Sequence, residues 1–276
     1  MGIGRVSKPA LPFQNVVANG IATNQITTGN TLENLQLQLG GTALTKAMVS
    51  LFRMKANGKT IIEGTGDQLA KLAAYRGEAA DAAFLDVQFA DLTGYNEYDR
   101  MVGALDTTGL VSLTTEVTIA GATAPQLTGI LHESAPQKVA KDVPAPFAGV
   151  MSKVLRYPFS VANGGMLPIN LPFGPVNGAV IKRIHIESAG NTVTSVVLKQ
   201  DGGVLLELTK AQNEYELKRW GRVPQANWFT LDFVKDGQVS KALNTRDARS
   251  LELLPTLSGA DNGFVIVEYL DTLGNL

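Results

Sequence analysis

The most constraining feature of this sequence is that its second half repeats its first. Five short segments return in the same order, at an offset of about 145 residues through the middle of the chain. The pairs are residues 12–20 with 158–164, 37–41 with 170–174, 65–68 with 209–212, 84–87 with 229–232, and 121–122 with 259–260. Matches in a constant order predict an internal duplication, so each half is expected to fold alike around its own core.

Short apolar runs separated by Gly, Asn, Asp and Pro predict strands and tight turns along the whole chain. Residues 35–39 alternate Leu-Gln-Leu-Gln-Leu, which is the period of a half-buried strand. We predict strands at residues 35–39, 48–54, 84–89, 110–119, 127–131, 181–186, 193–198, 204–208, 229–234, 251–254 and 264–270. The sequence therefore predicts an all-β protein with little helix.

One short helix is predicted at the same place in each half. Thr65 is followed three residues later by Gln68, and Thr209 by Gln212. In such a capping box the Thr hydroxyl accepts from the Gln backbone N–H, and the Gln side chain reaches back to the cap. The predicted helices cover residues 69–76 and 212–220, and Gly77 and Gly221 follow them as stop signals.

Between the halves, residues 139–150 contain Pro144, Pro146 and Gly149. Prolines suppress both helix and ladder hydrogen bonds, so this stretch predicts an extended linker. We divide the chain into residues 1–150, which include the linker, and residues 151–276. Each part is near the usual size of a domain.

Charge is balanced, with 24 basic and 25 acidic side chains and no long block of one sign. Direct contact with nucleic acid needs clustered Lys and Arg and is therefore not expected. The N-terminal tip, with Arg5 and Lys8, is expected to be a solvated terminus, and a contact with phospholipid headgroups or a neighbouring subunit is the alternative.

The chain contains no cysteine, which excludes disulfides and thiolate metal sites. We find no signal peptide, no apolar stretch of membrane-spanning length and no Asn-x-Ser/Thr sequon. These features favour a soluble protein that is made and kept inside a bacterial cell.

No catalytic or cofactor-binding residue is predicted. His185 alternates with Ile184 and Ile186 and is expected on the polar face of a strand, and His132 is expected at a strand end. Two separated histidines argue against a zinc site. Residues 64–66 lack the remaining residues of a phosphate loop, and no Gly-x-Ser-x-Gly elbow is present.

Two groups of side chains keep a binding alternative open. An acidic stretch that also holds Gly94, Tyr95 and Tyr98 is interpreted as an exposed loop, with a calcium site as the alternative; its carboxylates are Asp91, Glu97, Asp99 and Asp106. Asp232, Asp236 and Asp261 form a weaker set, and no metal ligand is assigned. Trp220, Trp228 and Phe229 are expected to pack beneath the second helix, although they could also stack on a sugar.

Residues 55–66, Lys-Ala-Asn-Gly-Lys-Thr-Ile-Ile-Glu-Gly-Thr-Gly, lead into the helix that precedes Gly77. This stretch resembles the N-terminal domain of corticovirus-type major coat proteins. Residues 171–175, Leu-Pro-Phe-Gly-Pro, before the strand at 181–186, are also similar to coat proteins of that lineage. The resemblance spans most of the chain and is sharpest over residues 35–90.

The resemblance implies a fold and a role. Members of the lineage, which includes tectivirus coat proteins and the adenovirus hexon, carry two tandem eight-stranded jelly-roll sandwiches, here expected with one short helix each. Three chains form a pseudo-hexameric homotrimer, and trimers tile an icosahedral shell around an internal membrane. The implied partners are neighbouring trimers, that membrane, and minor capsid or vertex proteins. Calcium is a possible ligand, with no other cofactor, and the implied location is the virion, assembled in the cytoplasm of a bacterial host.

Two other classes remain open from the residues alone. A carbohydrate- or receptor-binding β-sandwich, such as a viral spike or lectin, would need an exposed aromatic platform. A cupin-like enzyme would need a cluster of metal-binding histidines within one barrel, which two isolated histidines do not supply. Architecture by itself does not separate shell from spike, so that choice depends on the resemblance.

Overall fold

The computed structural model describes residues 5–42, 44–78, 81–136, 149–175 and 180–275. The chain divides into two compact units. Unit 1 is built from Met1–Val154 and unit 2 from Leu155–Asp271, with the last residues divided between them. Residues 139–148 of the predicted linker lie outside the described residues, and Val150 already opens a strand.

Unit 1 contains nine strands and two helices among its described residues. The strands are β1 (Val6–Pro9), β2 (Gly20–Gln25), β3 (Thr31–Thr42), β4 (Val49–Ala56), β5 (Lys59–Gly64), β6 (Phe84–Gln88), β7 (Leu105–Asp106), β8 (Leu113–Ile119) and β9 (Ala124–Ser134). The helices are α1 (Gly66–Tyr75) and the five-residue α2 (Glu97–Met101), and Lys46–Met48 form a 3-10 turn.

Unit 2 follows with its own strands and one helix. The strands are β10 (Val150–Val161), which begins in unit 1, then β11 (Gly165–Met166), β12 (Ile169–Asn170), β13 (Val180–Ser188), β14 (Val193–Gln200), β15 (Gly203–Thr209), β16 (Trp228–Asp232), β17 (Leu243–Asn244), β18 (Leu251–Leu257) and β19 (Asp261–Thr272). The helix is α3 (Lys210–Arg219), and 3-10 turns occur at Val239–Lys241 and Leu273–Asn275.

The strands of the two units are arranged in the same order. In unit 1 the sheets run β1-β9-β3-β6 and β2-β8-β4-β5, with the short β7 beside β3. In unit 2 they run β10-β19-β13-β16, with β17 beside β13, and β11-β18-β14-β15, with β12 also on β18. Counted along either unit, the main strands lie first-eighth-third-sixth and second-seventh-fourth-fifth. This is the jelly-roll order, so the prediction of two eight-stranded jelly rolls is confirmed.

Four of the five repeat pairs occupy matching positions in the two units. Residues 65–68 and 209–212 open the helices, residues 84–87 and 229–232 lie in the sixth strands, and residues 121–122 and 259–260 lie in matching turns. Residues 12–20 and 158–164 both lead from the first strand toward the second, although 158–161 are still part of β10. The pairing of residues 37–41 with 170–174 is wrong, because the former lie in β3 and the latter follow β12, whereas the counterpart of β3 is β13. Short apolar segments rich in Leu and Gly are too alike to fix a register by themselves.

Both predicted capping boxes are present. The Thr65 N–H donates to Gln68 Oε1 at 2.9 Å, and the Gln68 N–H donates to Thr65 Oγ1 at 3.1 Å. Thr209 and Gln212 make the same two bonds at 3.0 and 3.4 Å. Each box satisfies two backbone groups that a helix start leaves without partners, which fixes the helix between the fifth and sixth strands of each unit. The additional α2 was not predicted.

The core of unit 2 is formed by alternate residues of facing strands. Ile184 and Ile186 of β13 contact Val265 and Val267 of β19, and Leu253 of the opposite sheet belongs to the same cluster. In unit 1, β3 and β9 supply equivalent buried residues such as Leu35 and Leu131. The period-two pattern of the sequence thus decides which face of each sheet is apolar.

Candidate functional site

The face of β13 opposite the unit 2 core carries a cluster of buried charges. The Arg183 side chain is fully buried and donates from Nε to Asp232 Oδ2 at 3.0 Å and from Nη1 to Glu268 Oε2 at 3.2 Å. Arg222 Nε lies 3.6 Å from the same Asp232 oxygen. Three adjacent strands therefore contribute to one interior network, since Asp232 lies on β16 and Glu268 on β19.

His185 extends this network. It points away from Ile184 and Ile186, as predicted, but it is fully buried rather than placed on a solvated polar face. Its Nε2 lies 3.0 Å from Glu268 Oε1 and its Nδ1 lies 2.9 Å from Thr230 Oγ1. Both ring nitrogens are engaged within the protein, so His185 links β13 to β16 and β19.

This cluster was not predicted, although the sequence carries a signal for it. Glu268 interrupts the apolar run 264–270 of the eighth strand, and Arg183 lies between the isoleucines of the third. A charge inside such a run must be buried with a partner, because an isolated ion in the interior is too costly. The partner lies on another strand, and only the strand order shows which one it is.

Asp261, at the start of β19, holds the loop that follows β13. It accepts hydrogen bonds from the Ser188 hydroxyl, from Thr192 Oγ1 at 2.6 Å and from the Gly190 N–H at 2.9 Å. Burial raises the pKa of this carboxyl, but the hydrogen bonds from Ser188, Thr192, Gly190 and Asn262 outweigh burial and lower the pKa from 3.8 to about 2.

The lowered pKa predicts acid sensitivity. A carboxylate whose pKa is depressed by folding stabilises the protein above its ordinary pKa, and that contribution is lost as the pH falls from 3.8 toward about 2. Asp261→Asn should therefore melt below the unsubstituted protein near neutral pH, and the difference should shrink over this window. Melting curves at stepped pH check this, with the exposed Asp247→Asn as the control. If the difference in melting temperature between Asp261→Asn and the unsubstituted protein stayed constant down to a pH of about 2, the lowered pKa of Asp261 would be contradicted.

A second polar region lies on unit 1. A hollow of about 230 Å³ is lined by Arg5, Glu33, Asn34, Gln88 and His132, among others. Arg5 Nε pairs with Glu33 at 2.9 Å, and His132 Nδ1 lies 2.8 Å from Ser7 Oγ. His132 is not at a strand end as predicted, since β9 continues to Ser134. Ser7 and His132 are cross-strand partners on β1 and β9, so their hydrogen bond ties these two strands together.

The N-terminal cations are paired rather than simply solvated. Besides the Arg5–Glu33 pair, Lys8 Nζ lies 2.7 Å from Glu133 Oε2, and Glu133 is almost completely buried. These contacts tie β1 to its own sheet. Arg5 is 65% exposed and Lys8 is 36% exposed, so the two side chains are solvated as expected and are ion-paired as well.

The acidic stretch is exposed only in part, because Glu97, Tyr95 and Tyr98 are exposed whereas its aspartates are not. Asp91, Asp99 and Asp106 are buried, and the stretch includes α2 and β7. Asp91 Oδ1 accepts from the Thr93 hydroxyl at 2.5 Å, and Asp106 Oδ1 accepts from the Thr108 hydroxyl at 2.7 Å. The carboxylates thus brace turns of the backbone, as Asx turns do.

The weaker acidic set is also dispersed. Asp232 belongs to the arginine network, Asp236 pairs with Lys241, and Asp261 holds its loop. Within the described part of the chain, no three His, Asp or Glu side chains come together in a way that could hold a metal ion. Calcium binding therefore stays a prediction that rests on the resemblance.

The three aromatic residues do not form a common platform. Trp228 and Phe229 are each 2% exposed, and as neighbours on β16 they point to opposite faces. Phe229 belongs to the core, whereas the Trp228 ring lies 5.1 Å from that of His185. Trp220 is exposed at the end of α3. The expected packing beneath the second helix is thus wrong for Trp220, and the geometry for stacking a sugar between these rings is not met.

None of the helices in the described residues combines the length and the apolar character needed to cross a membrane. The polar clusters thus stabilise loops and strands of the fold. The strand order of the two units places the chain in the class of double jelly-roll proteins. Solved structures of that architecture match it over nearly its whole length. The major capsid protein P2 from bacteriophage PM2 has 23% identity and a TM-score of 0.85, covering 97% of each chain. The STIV MCP has 17% identity and a TM-score of 0.71, covering 98% of this chain and 97% of that one.

A third structure, PBCV-1 VP54, has 10% identity and a TM-score of 0.67 over 97% of this chain and 93% of that one. At these identities the structural likeness establishes the fold. Two family models establish the family: viral coat protein P2 N-terminal domain matches residues 7–134, and viral coat protein P2 C-terminal domain matches residues 151–273. The chain belongs to the viral coat protein P2 family. No curated protein sequence matches it.

Proposed function

We propose that this coat protein is the major building block of an icosahedral capsid and that three copies form a homotrimer with a pseudo-hexagonal outline. The observation that carries the proposal is the pair of jelly rolls with one strand order in a single chain. A three-fold axis acting on two similar domains per chain gives six similar wedges, which can fill a hexagonal tile. Repeating such tiles then covers a closed shell.

We further propose that the shell encloses a membrane and is assembled in the cytoplasm of a bacterial host, together with minor capsid or vertex proteins. Membership of the coat protein family and the full-length likeness to the major capsid protein of bacteriophage PM2 support this. In this role the protein acts by shape and contact rather than by catalysis. The buried ion pairs and braced loops described above suit a rigid tile.

The trimer has a direct test. Light scattering of the purified protein should give about three times 29.3 kDa, because three chains of two similar domains each supply the six wedges of a hexagonal tile. Negative-stain images should show a six-lobed outline. A monomer that persists at high protein concentration would count decisively against the shell role.

A further inference from the structure

The fifth strand and the helix after it are buried in unit 1 and exposed in unit 2. On β5, Ile61 and Ile62 are 0% and 1% exposed. On the matching β15 no residue is buried, and Val204 and Leu205 are 55% and 49% exposed. The two strands hold the same position in the same fold. The difference in exposure therefore identifies β5 as a covered fifth strand and β15 as an uncovered one.

The following helices differ in the same way. Every large apolar side chain of residues 59–78 is buried in the chain. The matching residues 203–222 expose four of them: Val204, Leu205, Tyr215 and Trp220. We call this stretch the β15–α3 surface. Exposed apolar side chains concentrated on one stretch indicate a surface that is covered in the assembled protein.

Backbone pairing shows what covers the edge in unit 1. There β5 pairs with β4 on one side, and on its other side Ile62 pairs in parallel with Val154. In unit 2, β15 pairs with β14 on one side, and no described residue pairs with its other side. An exposed strand edge carrying apolar residues is a template for another chain.

The missing partner can be identified from the repeat. Val154 lies on β10, which begins in unit 1 and continues as the first strand of unit 2, and the first strand of unit 1 is β1. The match of Pro158 with Pro12 places Lys8 opposite Val154 in the repeat. Among the described residues, β1 pairs only with β9, so β1 also has an unpaired edge.

We propose that β15 of one copy receives β1 of a second copy as a parallel strand, and that this is the contact that joins subunits. The match of Thr65 with Thr209 places Leu206 opposite Ile62, so Lys8 of one copy lies beside Leu206 of the next. This inference rests on the proposed trimer. The two unpaired edges are the two halves of a single contact, and such a head-to-tail contact closes into a ring when the rotation permits.

The absence of cysteine makes this contact testable by a disulfide between copies. In a parallel pairing of Lys8 with Leu206, the residues before them, Ser7 and Leu205, also lie side by side. Both are exposed. Neighbouring strands lie about 4.8 Å apart, within the Cα separation that a disulfide needs. Under mild oxidation the Ser7→Cys/Leu205→Cys protein should yield covalent dimers and trimers on a non-reducing gel.

The matched control is Ser7→Cys with Glu252→Cys. Glu252 is exposed on the same sheet but lies on β18, on the far side of β14 from β15. The control should cross-link at least tenfold less. If the double variant is a trimer by light scattering yet cross-links no better than the control, the β1–β15 contact is wrong and the trimer stands. If the parent protein is a monomer, the proposed function and this inference both fall.

A charge at the edge gives a second readout. Leu205→Lys should raise the concentration at which trimers dissociate by at least tenfold, because a lysine on an edge strand opposes further pairing. Val111→Lys, at an 89% exposed site on unit 1, should leave dissociation unchanged. Leu205→Lys and Val111→Lys should have equal melting temperatures when both are diluted to monomers, which would show that neither substitution disturbs folding. Equal trimer stability of both variants would overturn the proposal.

Discussion

Glu268→Ala should lower the free energy of unfolding of unit 2 by about 3–5 kcal/mol. The carboxylate pairs with Arg183 at 3.2 Å and with His185 at 3.0 Å, and all three side chains are buried. Removing it leaves a guanidinium with one carboxylate partner fewer and a histidine nitrogen without its acceptor. Losing one partner of a buried pair costs more than the pair contributes, because the remaining charge stays desolvated.

The chain offers a specific probe for this measurement. Both tryptophans, Trp220 and Trp228, lie in unit 2, so urea unfolding followed by their fluorescence reports on that unit. Glu252→Ala removes an exposed glutamate from β18 and should change stability by less than about 0.5 kcal/mol. A loss below about 1 kcal/mol for Glu268→Ala would mean that the network is compensated elsewhere.

The features that sequence predicted correctly are local ones. A capping box needs only four consecutive residues, and a half-buried strand needs only alternation, so α1, α3 and most long strands were found. By contrast β1, β2, β5 and β10 were not predicted, since each combines polar residues or a proline with its apolar ones. Pro158 lies within β10, and a proline inside an apolar run argues against a strand when only the sequence is considered.

Long-range features could not be obtained from the same reasoning. The partners of Arg183 lie 49 and 85 residues away, and nothing in the sequence of β13 indicates which strands flank it. The buried state of Asp91 and Asp106 likewise depends on how their loop folds back. The jelly-roll order was predicted only through the family resemblance, because alternation specifies the faces of a strand but not its neighbours.

Gly66→Ala should destabilise unit 1 by about 1–3 kcal/mol, against the direction that helix propensity predicts. Gly66 is the first residue of α1 and is not in the left-handed region, so alanine suits its backbone. An added Cβ, however, would lie 2.2 Å from the Lys46 carbonyl oxygen and 2.9 Å from Val49 Cβ. Either the helix or the 3-10 turn must move, and the cost of that movement exceeds the gain of up to about 1 kcal/mol from replacing glycine.

The repeat supplies the matched control for this prediction. Lys210 occupies the same first position of α3, behind an identical capping box, and its side chain extends to Asn191. Lys210→Ala should therefore change stability by less than about 0.5 kcal/mol. Calorimetry of both variants measures the comparison, since it detects unit 1, which has no tryptophan. If Gly66→Ala were as stable as the parent or more so, helix propensity rather than the approach of Lys46 would determine this position.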